Sequence, residues 1–240
     1  MALRTYAATQ VGLGKKRNED RSLIKEACGG VLLVVADGMG GNPGGGLAAQ
    51  LLIDSLGDFV PPIEAGGTLP QQLTTAVLQA NAALLRVGDE TPDLAGMGST
   101  LILAWLAGDQ TAHWAHVGDS RLYHLHEGAL TQVTTDQNLA QELHAKGEIT
   151  VEELRGHRMR AFLSQCLGED GVEPIHGRFT VDIGDLLLLC SDGLHDWLSN
   201  TDILGILSLN ADMQDIAARL IAAAVEAGSS DDITVVLARV

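Results

Sequence analysis

Two short apolar runs, each followed almost at once by an aspartate, constrain the fold of this chain more than any other feature. Residues 31–36 and 186–190 are nearly continuously apolar, which is typical of strands that are buried on both faces. The first run leads into Asp37-Gly38 and the second into Ser191-Asp192-Gly193. The pattern predicts two central strands, in covered sheets, that each carry a carboxylate at one end.

Helices are grouped between sets of strands rather than alternating with them. Apolar residues at helical spacing predict helices over residues 47–59, 73–87 and 212–227, and a capping box at Thr150 predicts a fourth, short one. Asp212 and Gly228 have the residue types of an N-cap and a C-terminal stop. Further strands are predicted at 5–11, 100–106, 111–117, 121–126, 179–183 and 233–240. This grouping favours a layered α+β fold with mostly antiparallel sheets, in one domain of 240 residues.

Composition excludes several classes of function. The chain has 31 acidic and 15 basic residues, a net charge of −16, which argues against nucleic acid or an anionic membrane as a partner. No apolar run approaches the roughly 20 residues of a membrane span, and no signal peptide precedes the first strand. The three cysteines form no CxxC pair, which favours reduced thiols in a cytoplasmic protein.

Carboxylates at the ends of four predicted strands indicate a metal centre. Asp37, Asp119 and Asp192 follow strands, and Asp232 precedes the last one. Converging carboxylates repel one another unless cations lie between them, and oxygen ligands suit Mg²⁺, Mn²⁺ or Ca²⁺ rather than zinc. A glycine after the aspartate permits close backbone approach, so the carbonyl of Gly38 could be a further ligand. The alternative, that Asp-Gly only marks a turn, explains one such site better than four.

Other phosphate-handling and nucleophile motifs are missing. The glycine-rich residues 38–46 contain no Gly-Lys-Ser/Thr, and the chain has neither a dinucleotide fingerprint in a strand-to-helix setting nor a G-x-S-x-G elbow. Neither Asp37 nor Asp192 has a second aspartate two residues later, which argues against an aspartyl-phosphate mechanism. Metal-assisted hydrolysis, with two ions activating a water molecule, is the reaction class that remains.

Six motifs in order along the chain carry a family resemblance. They are GLGKKRNED at 12–20, VADGMGG at 35–41, GST at 98–100, HVGDSR at 116–121, SDG at 191–193 and SDDIT at 230–234. With them the sequence resembles the metal-dependent serine/threonine protein phosphatases of type 2C, in their compact bacterial form. The resemblance implies a four-layer α/β/β/α sandwich with two central antiparallel sheets. It also implies hydrolysis of phosphoserine and phosphothreonine on proteins, in opposition to a serine/threonine kinase, by a monomer.

The resemblance assigns ligands for two Mg²⁺ or Mn²⁺ ions. Asp37 would bridge both ions, and Asp192 and Asp232 would complete the first site. The carbonyl of Gly38 would serve the second ion.

Further residues would act around these two ions. Glu19 or Asp20 would contact metal-bound water. Asp119 and Asp196 match positions that, with Asp192, hold a third, weaker ion in bacterial members. Residues 139–168 match the mobile flap beside the active site.

The chain departs from the family pattern at several positions. Lys15 stands where the family usually has the arginine that binds substrate phosphate, and Arg17 is close enough to substitute; both could also be ordinary surface cations. Met39 replaces the histidine proposed as general acid in animal relatives, so another group or water would protonate the leaving group. Gln137 and Gln165 replace a usual histidine and a frequent arginine.

Two other functions and one other site stay open. The chain could be a catalytically silent regulatory or phospho-binding domain, or a phosphatase for small phosphate esters. His124 and His126 are two apart on a strand and point to one face, but the sequence shows no further ligand beside them, which favours packing over a zinc site. His195 lies close to the predicted metals and could influence pH dependence.

Overall fold

The computed structural model describes residues 3–27, 29–39, 44–59 and 68–240. Cys28 and the end of the predicted motif at Gly40-Gly41 lie outside these ranges, as do residues 61–67 of the loose stretch that the sequence predicts over 61–70, between the first two helices. Within these ranges the strands are β1 Arg4–Gln10, β2 Arg21–Ala27, β3 Gly30–Ala36, β4 Leu101–Ala107, β5 Thr111–Val117, β6 Arg121–His126, β7 Ala129–Gln132, β8 Ile175–Thr180, β9 Leu186–Cys190 and β10 Ile233–Arg239. The α-helices of the described ranges are α1 Gly45–Gly57, α2 Leu69–Glu90, α3 Leu139–Ala145, α4 Val151–Leu154, α5 Asp192–His195, α6 Asn200–Leu207 and α7 Met213–Glu226.

The strands form two five-stranded sheets in which every pairing is antiparallel. Sheet A has the order β1-β10-β9-β6-β7, and sheet B has the order β2-β3-β4-β5-β8. The apolar run at 186–190 forms β9, the central strand of sheet A. The run at 31–36 lies in β3, which is next to the edge of sheet B.

Alternating side chains divide the interior into three apolar layers. Leu32 and Val34 of β3 face α1 and α2, whereas Leu33 and Val35 face sheet A. In β9, Leu187 and Leu189 point to the interlayer, while their neighbours pack under α5, α6 and α7. The structure confirms the α+β prediction and the four layers, because each sheet is covered by helices on one face and by the other sheet on the second.

Local capping signals were read correctly from the sequence. Thr150 Oγ1 accepts the N–H of Glu153 at 3.3 Å, and the Glu153 carboxylate accepts the N–H of Thr150 at 2.8 Å. Asp212 accepts the N–H of Asp215 at 2.8 Å at the start of α7. Gly228, with φ of +108°, follows the C-cap of that helix.

Three strands differ from the predictions. β2 and β7 were not predicted, because both are partly exposed edge strands without a clean apolar alternation. The strand predicted at 179–183 is β8, which lies earlier, over Ile175–Thr180. Gly177 obscured it in the sequence; a Cβ there would lie 2.8 Å from the Trp114 ring, so the glycine allows the indole to pack on the strand.

Two of the three cysteines lie in the described ranges, and both are buried free thiols. These are Cys166 and Cys190. Within the described ranges, no helix is both long and apolar enough to cross a bilayer.

Candidate active site

The predicted carboxylates gather where the two sheets meet at one end of their strands. Asp37 follows β3, and Asp119 lies in the turn between β5 and β6. Asp192 opens α5 directly after β9, and Asp232 precedes β10. A cavity of about 1140 Å³ opens at this end, and its lining includes Glu19, Asp37, Gly38, Asp119, Asp192 and Asp196.

The glycines after Asp37 and Asp192 serve close backbone approach. A Cβ on Gly38 would lie 2.2 Å from the carbonyl oxygen of Gly45, and one on Gly193 would lie 2.1 Å from the carbonyl oxygen of Asp232. Neither glycine has a positive φ. The Asp-Gly pairs therefore mark sites where two backbone segments touch, and the turn alternative does not explain them.

Asp232 anchors the loop between β1 and β2. Its side chain is buried and accepts the N–H of Gly12 at 2.8 Å and the N–H of Glu19 at 2.9 Å. The ammonium of Lys15 lies 3.2 Å from its Oδ2 and pairs more closely with Asp231. Burial acts to lower the pKa of Lys15, but the two carboxylates outweigh it and raise that pKa above its ordinary value. The loop that carries Glu19 is thus fixed by the aspartate pair at the start of β10.

Asp20 is buried with one carboxylate oxygen satisfied. Its Oδ2 accepts the hydroxyl hydrogen of Ser191 at 2.7 Å, and Ser191 Oγ accepts the N–H of Thr234 at 2.9 Å. Its Oδ1 is buried and has no hydrogen-bond partner among the described residues. Burial raises the pKa of Asp20 to about 6, against the opposing effect of the Ser191 hydrogen bond. A buried carboxylate oxygen without a donor is a position that suits a cation or a water molecule.

Asp37 is held by the segment that begins β4. Its N–H lies 3.3 Å from Thr100 Oγ1, and its carbonyl accepts both the Thr100 N–H at 2.9 Å and the Ser99 hydroxyl at 2.8 Å. Thr100 Oγ1 lies 2.7 Å from the hydroxyl of Ser120. The Gly-Ser-Thr motif thus ties Asp37 to the turn that carries Asp119.

Burial and mutual repulsion raise the pKa of the clustered carboxyls. Burial is the main cause for Asp37, with repulsion from Asp20 and Asp192 next. The pKa of Asp192 is raised in the same way, by burial and then by Asp119. Burial, followed by repulsion from Asp136 and Asp196, raises the pKa of Asp119 to about 7. The cluster cannot carry its full negative charge without positive charge between its members.

The donor set fits hard divalent cations. The available ligand atoms are carboxylate and carbonyl oxygens, and one of them, Asp20 Oδ1, is buried with no hydrogen-bond partner in the described part of the chain. Oxygen donors of this kind suit Mg²⁺ and Mn²⁺, and the accumulated charge requires them.

A comparison with protein-family models matches residues 14–237 to the family described as Protein phosphatase 2C. The chain belongs to the protein phosphatase 2C family. The resemblance carried by the six motifs is thereby confirmed, and the site lies where those motifs converge.

Curated relatives support the same assignment. The serine/threonine protein phosphatase PstP of Mycobacterium tuberculosis is 39% identical over 240 residues, which is 100% of this chain and 45% of PstP. The chain therefore spans about half the length of that relative. Protein phosphatase PhpP of Streptococcus pneumoniae is 30% identical over 232 residues, covering 94% of this chain and 93% of PhpP.

Solved structures of PstP superpose closely on the chain. The crystal structure of the M. tuberculosis enzyme has a TM-score of 0.89 at 39% identity and covers 99% of this chain and 98% of its own. A structure of the PstP catalytic domain in complex with two manganese ions has a TM-score of 0.85 at 38% identity, covering 99% and 97%. The fold is that of protein phosphatase 2C enzymes, a family that depends on Mg²⁺ or Mn²⁺.

In this member of the family, the segment over residues 139–168 contacts the cluster through Arg160. Leu139, Arg160, Phe162 and Leu163 line the cavity, and the Arg160 guanidinium pairs with the carboxylate of Asp196. Burial acts to raise the pKa of Asp196, but contact with His195 and the charge of Arg160 lower it to about 2. Asp196 is therefore an ionised carboxylate whose charge Arg160 already compensates.

His195 supports the site from behind. It is buried, its Nε2 lies 3.0 Å from the carbonyl oxygen of Asp119, and its Nδ1 lies 3.1 Å from Asp196 Oδ1. Burial, followed by the charge of Arg121, lowers its pKa. A neutral imidazole carries one N–H, so His195 supports the backbone at Asp119, and its Nδ1 makes no hydrogen bond among the described residues.

Lys15 and Arg17 differ in their surroundings, although both line the cavity. Lys15 is held by Asp231 and Asp232, whereas Arg17 is exposed and makes no ion pair within the described part of the chain. Arg17 is therefore the cation with the more freely available charge.

Several supporting residues were missed by the sequence reading. Arg121 donates to Asp136 through two nitrogens, at 2.8 and 2.7 Å, in a largely buried pair that fixes the start of β6. Gln137 Oε1 accepts the N–H of Gly118 at 2.8 Å, which holds the turn before Asp119. Ser191, in the SDG motif, donates its hydroxyl hydrogen to Asp20. The motifs containing these residues were visible, but their partners are distant in sequence.

Proposed function

We propose that this chain is a metal-dependent phosphatase that removes phosphate from phosphoserine and phosphothreonine on proteins. The observation that carries the proposal is the group of buried carboxyls with raised pKa around one open cavity, with Asp20 Oδ1 unpartnered among the described residues. The names of PstP and PhpP support the reaction, and the cavity volume of about 1140 Å³ leaves room for a peptide.

Asp37, Asp192 and the carbonyl of Gly38 would hold two Mg²⁺ or Mn²⁺ ions. Asp231 lines the cavity and Asp232 does not, so Asp231 would supply the ligand that the resemblance assigns to Asp232, whose two oxygens accept the N–H groups of Gly12 and Glu19. Asp119 and Asp196, with Asp192, would hold a third. When bound, such ions act as Lewis acids on phosphoryl oxygens and lower the pKa of water.

The residues of the chain prepare the site for that chemistry. Asp20 Oδ1 would accept a hydrogen bond or a proton from the attacking water, because its pKa of about 6 keeps it largely ionised at neutral pH. Glu19 lines the cavity next to it on the loop fixed by Asp232. Met39 also lines the cavity and cannot donate a proton, so the leaving alkoxide would take its proton from water.

The proposal includes the organisation of the protein. Residues 1–240 would form one phosphatase domain, since the two sheets share a single interlayer core, and residues 139–168 would be its flap. The chain would act as a cytoplasmic monomer on the products of a serine/threonine kinase. The net charge of −16 would disfavour strongly acidic phosphopeptides.

Turnover of a matched peptide panel tests the reaction. The panel holds one sequence with phosphoserine, phosphothreonine or phosphotyrosine, together with a small aryl phosphate, each assayed with Mn²⁺ and with excess chelator. We expect hydrolysis of the phosphoserine and phosphothreonine peptides that chelator abolishes, and little hydrolysis of the phosphotyrosine peptide. Hydrolysis of the aryl phosphate alone would support a small-ester phosphatase. Binding of phosphopeptides without turnover would support a silent phospho-binding domain.

Single alanine variants separate the two candidate phosphate-binding cations. Because Arg17 is exposed and free of ion pairs among the described residues, we expect Arg17→Ala to raise KM for phosphopeptide about tenfold with little change in kcat. Lys15→Ala should lower kcat as well, because Lys15 holds the Asp231–Asp232 segment. Steady-state kinetics measure both effects, with Lys146→Ala, an exposed cation in the flap segment, as the control. An unchanged KM for Arg17→Ala would assign phosphate binding to Lys15.

A further inference from the structure

A second cluster of metal-binding side chains lies at the opposite end of sheet A. His124 Nε2 lies 2.7 Å from Asp185 Oδ2, and His126 Nδ1 lies 2.9 Å from Asp185 Oδ1. The two histidines project from the same face of β6, and Asp185 immediately precedes β9, the strand that pairs with it. The sequence predicted no further ligand beside these histidines; that prediction was wrong, because strand pairing supplies Asp185.

This cluster is remote from the candidate active site. Asp185 and Asp192 flank the two ends of β9, and five strand residues at about 3.4 Å each separate them by roughly 17 Å. None of the cluster residues lines the catalytic cavity. A ligand bound here would therefore be independent of the oxygen-lined centre.

The donor atoms are already near the spacing of a tetrahedral zinc site. Zinc binds imidazole nitrogen and carboxylate oxygen at about 2.0–2.2 Å, which places neighbouring ligand atoms roughly 3.3 Å apart. The two histidine nitrogens lie 2.7 and 2.9 Å from the carboxylate oxygens, and one ligand atom from each of the three residues lies within 4.8 Å of the others, so small side-chain movements would let them share one ion. Asp182 Oδ2, 3.9 Å from His126 Nδ1, is placed to provide a fourth ligand.

Neighbouring groups hold the donors in place. Asp185 is 5% exposed, and its Oδ2 accepts the N–H of Asp182 at 2.8 Å. The ring of His124 packs on Phe179 with a centroid separation of 4.7 Å. Fixed ligand orientation of this kind is a general requirement of metal sites.

The cluster is also open to solvent on one side and acidic. The side chain of His126 is 42% exposed and borders a cavity of about 470 Å³. The carboxylates of Glu127, Asp182 and Asp185 each come within 4 Å of its ring nitrogens. An incoming cation therefore meets negative charge and a route of entry.

We propose that His124, His126 and Asp185 form a binding site for a first-row transition ion, with Zn²⁺ as the best match. Imidazole nitrogen distinguishes this site from the catalytic one, since Mg²⁺ prefers oxygen ligands alone. The bound ion would join the β6–β7 hairpin to the turn before β9 and so stabilise the edge of sheet A.

Zinc uptake in the presence of excess Mg²⁺ tests the site. The tag-free chain is stripped with chelator, saturated with Mg²⁺ to fill oxygen-ligated positions, dialysed against Zn²⁺ at neutral pH and analysed for metal. We expect the wild type to retain one more zinc per chain than His126→Gln or His124→Gln. His176→Gln, which removes an exposed histidine from β8, should retain as much zinc as the wild type.

Equal zinc content in the wild type and in both cluster variants would overturn the proposal. If the variants fold poorly, crystals of the wild-type chain soaked in Zn²⁺ decide the matter by anomalous diffraction at the zinc edge. A peak among His124, His126 and Asp185 supports the site, and an empty map at that position refutes it.

Discussion

Replacing Asp192 with alanine should abolish phosphatase activity while leaving the chain folded. Asp192 opens α5 at the cavity, and its raised pKa reflects burial and repulsion by Asp119, which is the environment of a carboxylate that needs a cation. Loss of about 4 kcal/mol of transition-state stabilisation corresponds to a rate reduction of roughly 1000-fold. We expect kcat/KM for a phosphoserine peptide in Mn²⁺ to fall by at least that factor.

Asp89→Ala is the matched control for this variant. It removes the same charge from an exposed position near the end of α2. The control should keep wild-type activity, and circular dichroism should show that both variants are folded. Activity in folded Asp192→Ala within tenfold of the wild type would contradict the assignment of Asp192 as a metal ligand.

The second large expected effect is a gain in the stability of the metal-free chain when a buried carboxylate is removed. Asp37→Asn should make the metal-free chain more stable, because it removes one of several buried carboxyls whose mutual repulsion raises their pKa. A gain on the order of 1 kcal/mol would raise Tm by about 2–4 °C for a chain of this size. Thermal unfolding in excess chelator measures this effect.

Divalent ions should reverse the order of the Tm values of the wild type and Asp37→Asn. Mg²⁺ or Mn²⁺ stabilises a folded protein that binds it, so the wild type should gain more in Tm than Asp37→Asn when either ion is added. Asp89→Asn is the control, because it also removes one negative charge from a chain with net charge −16 and so lowers the overall charge repulsion by a similar amount. A lower Tm for metal-free Asp37→Asn than for the metal-free wild type would show that repulsion does not dominate at this position.

Much of the fold was predictable, because burial on both faces leaves a clear mark on the sequence. Residues 186–190 read as a strand with the bounds that the structure gives β9, and β5 and β6 were also placed correctly. The edge strands β2 and β7 were missed, since both are partly exposed without a clean apolar alternation, and β7 has only four residues. β8 was displaced because Gly177, which accommodates Trp114, interrupts its pattern.

The site residues also fall into two groups, those that the sequence could predict and those that depend on contacts distant in sequence. Asp37, Asp119 and Asp192 could be found because each is adjacent to a recognisable strand. The hydrogen bond from Ser191 to Asp20 and the pair of Arg121 with Asp136 depend on contacts across the fold. Strand alternation placed His124 and His126 on one face, but only the pairing of β6 with β9 brings Asp185 to them.

The position of the carboxylates at the junction of two sheets gives the interlayer core a geometric role. Asp37 extends from sheet B and Asp192 from sheet A, and side chains such as Val35, Ile102 and Leu189 fill the space between the sheets. Packed sheets are held about 10 Å apart by the volume of such side chains. The width of the gap between the two aspartates is therefore set by apolar residues that never touch the cavity. A single methylene added to or removed from that layer would change the distance between Asp37 and Asp192 across the site.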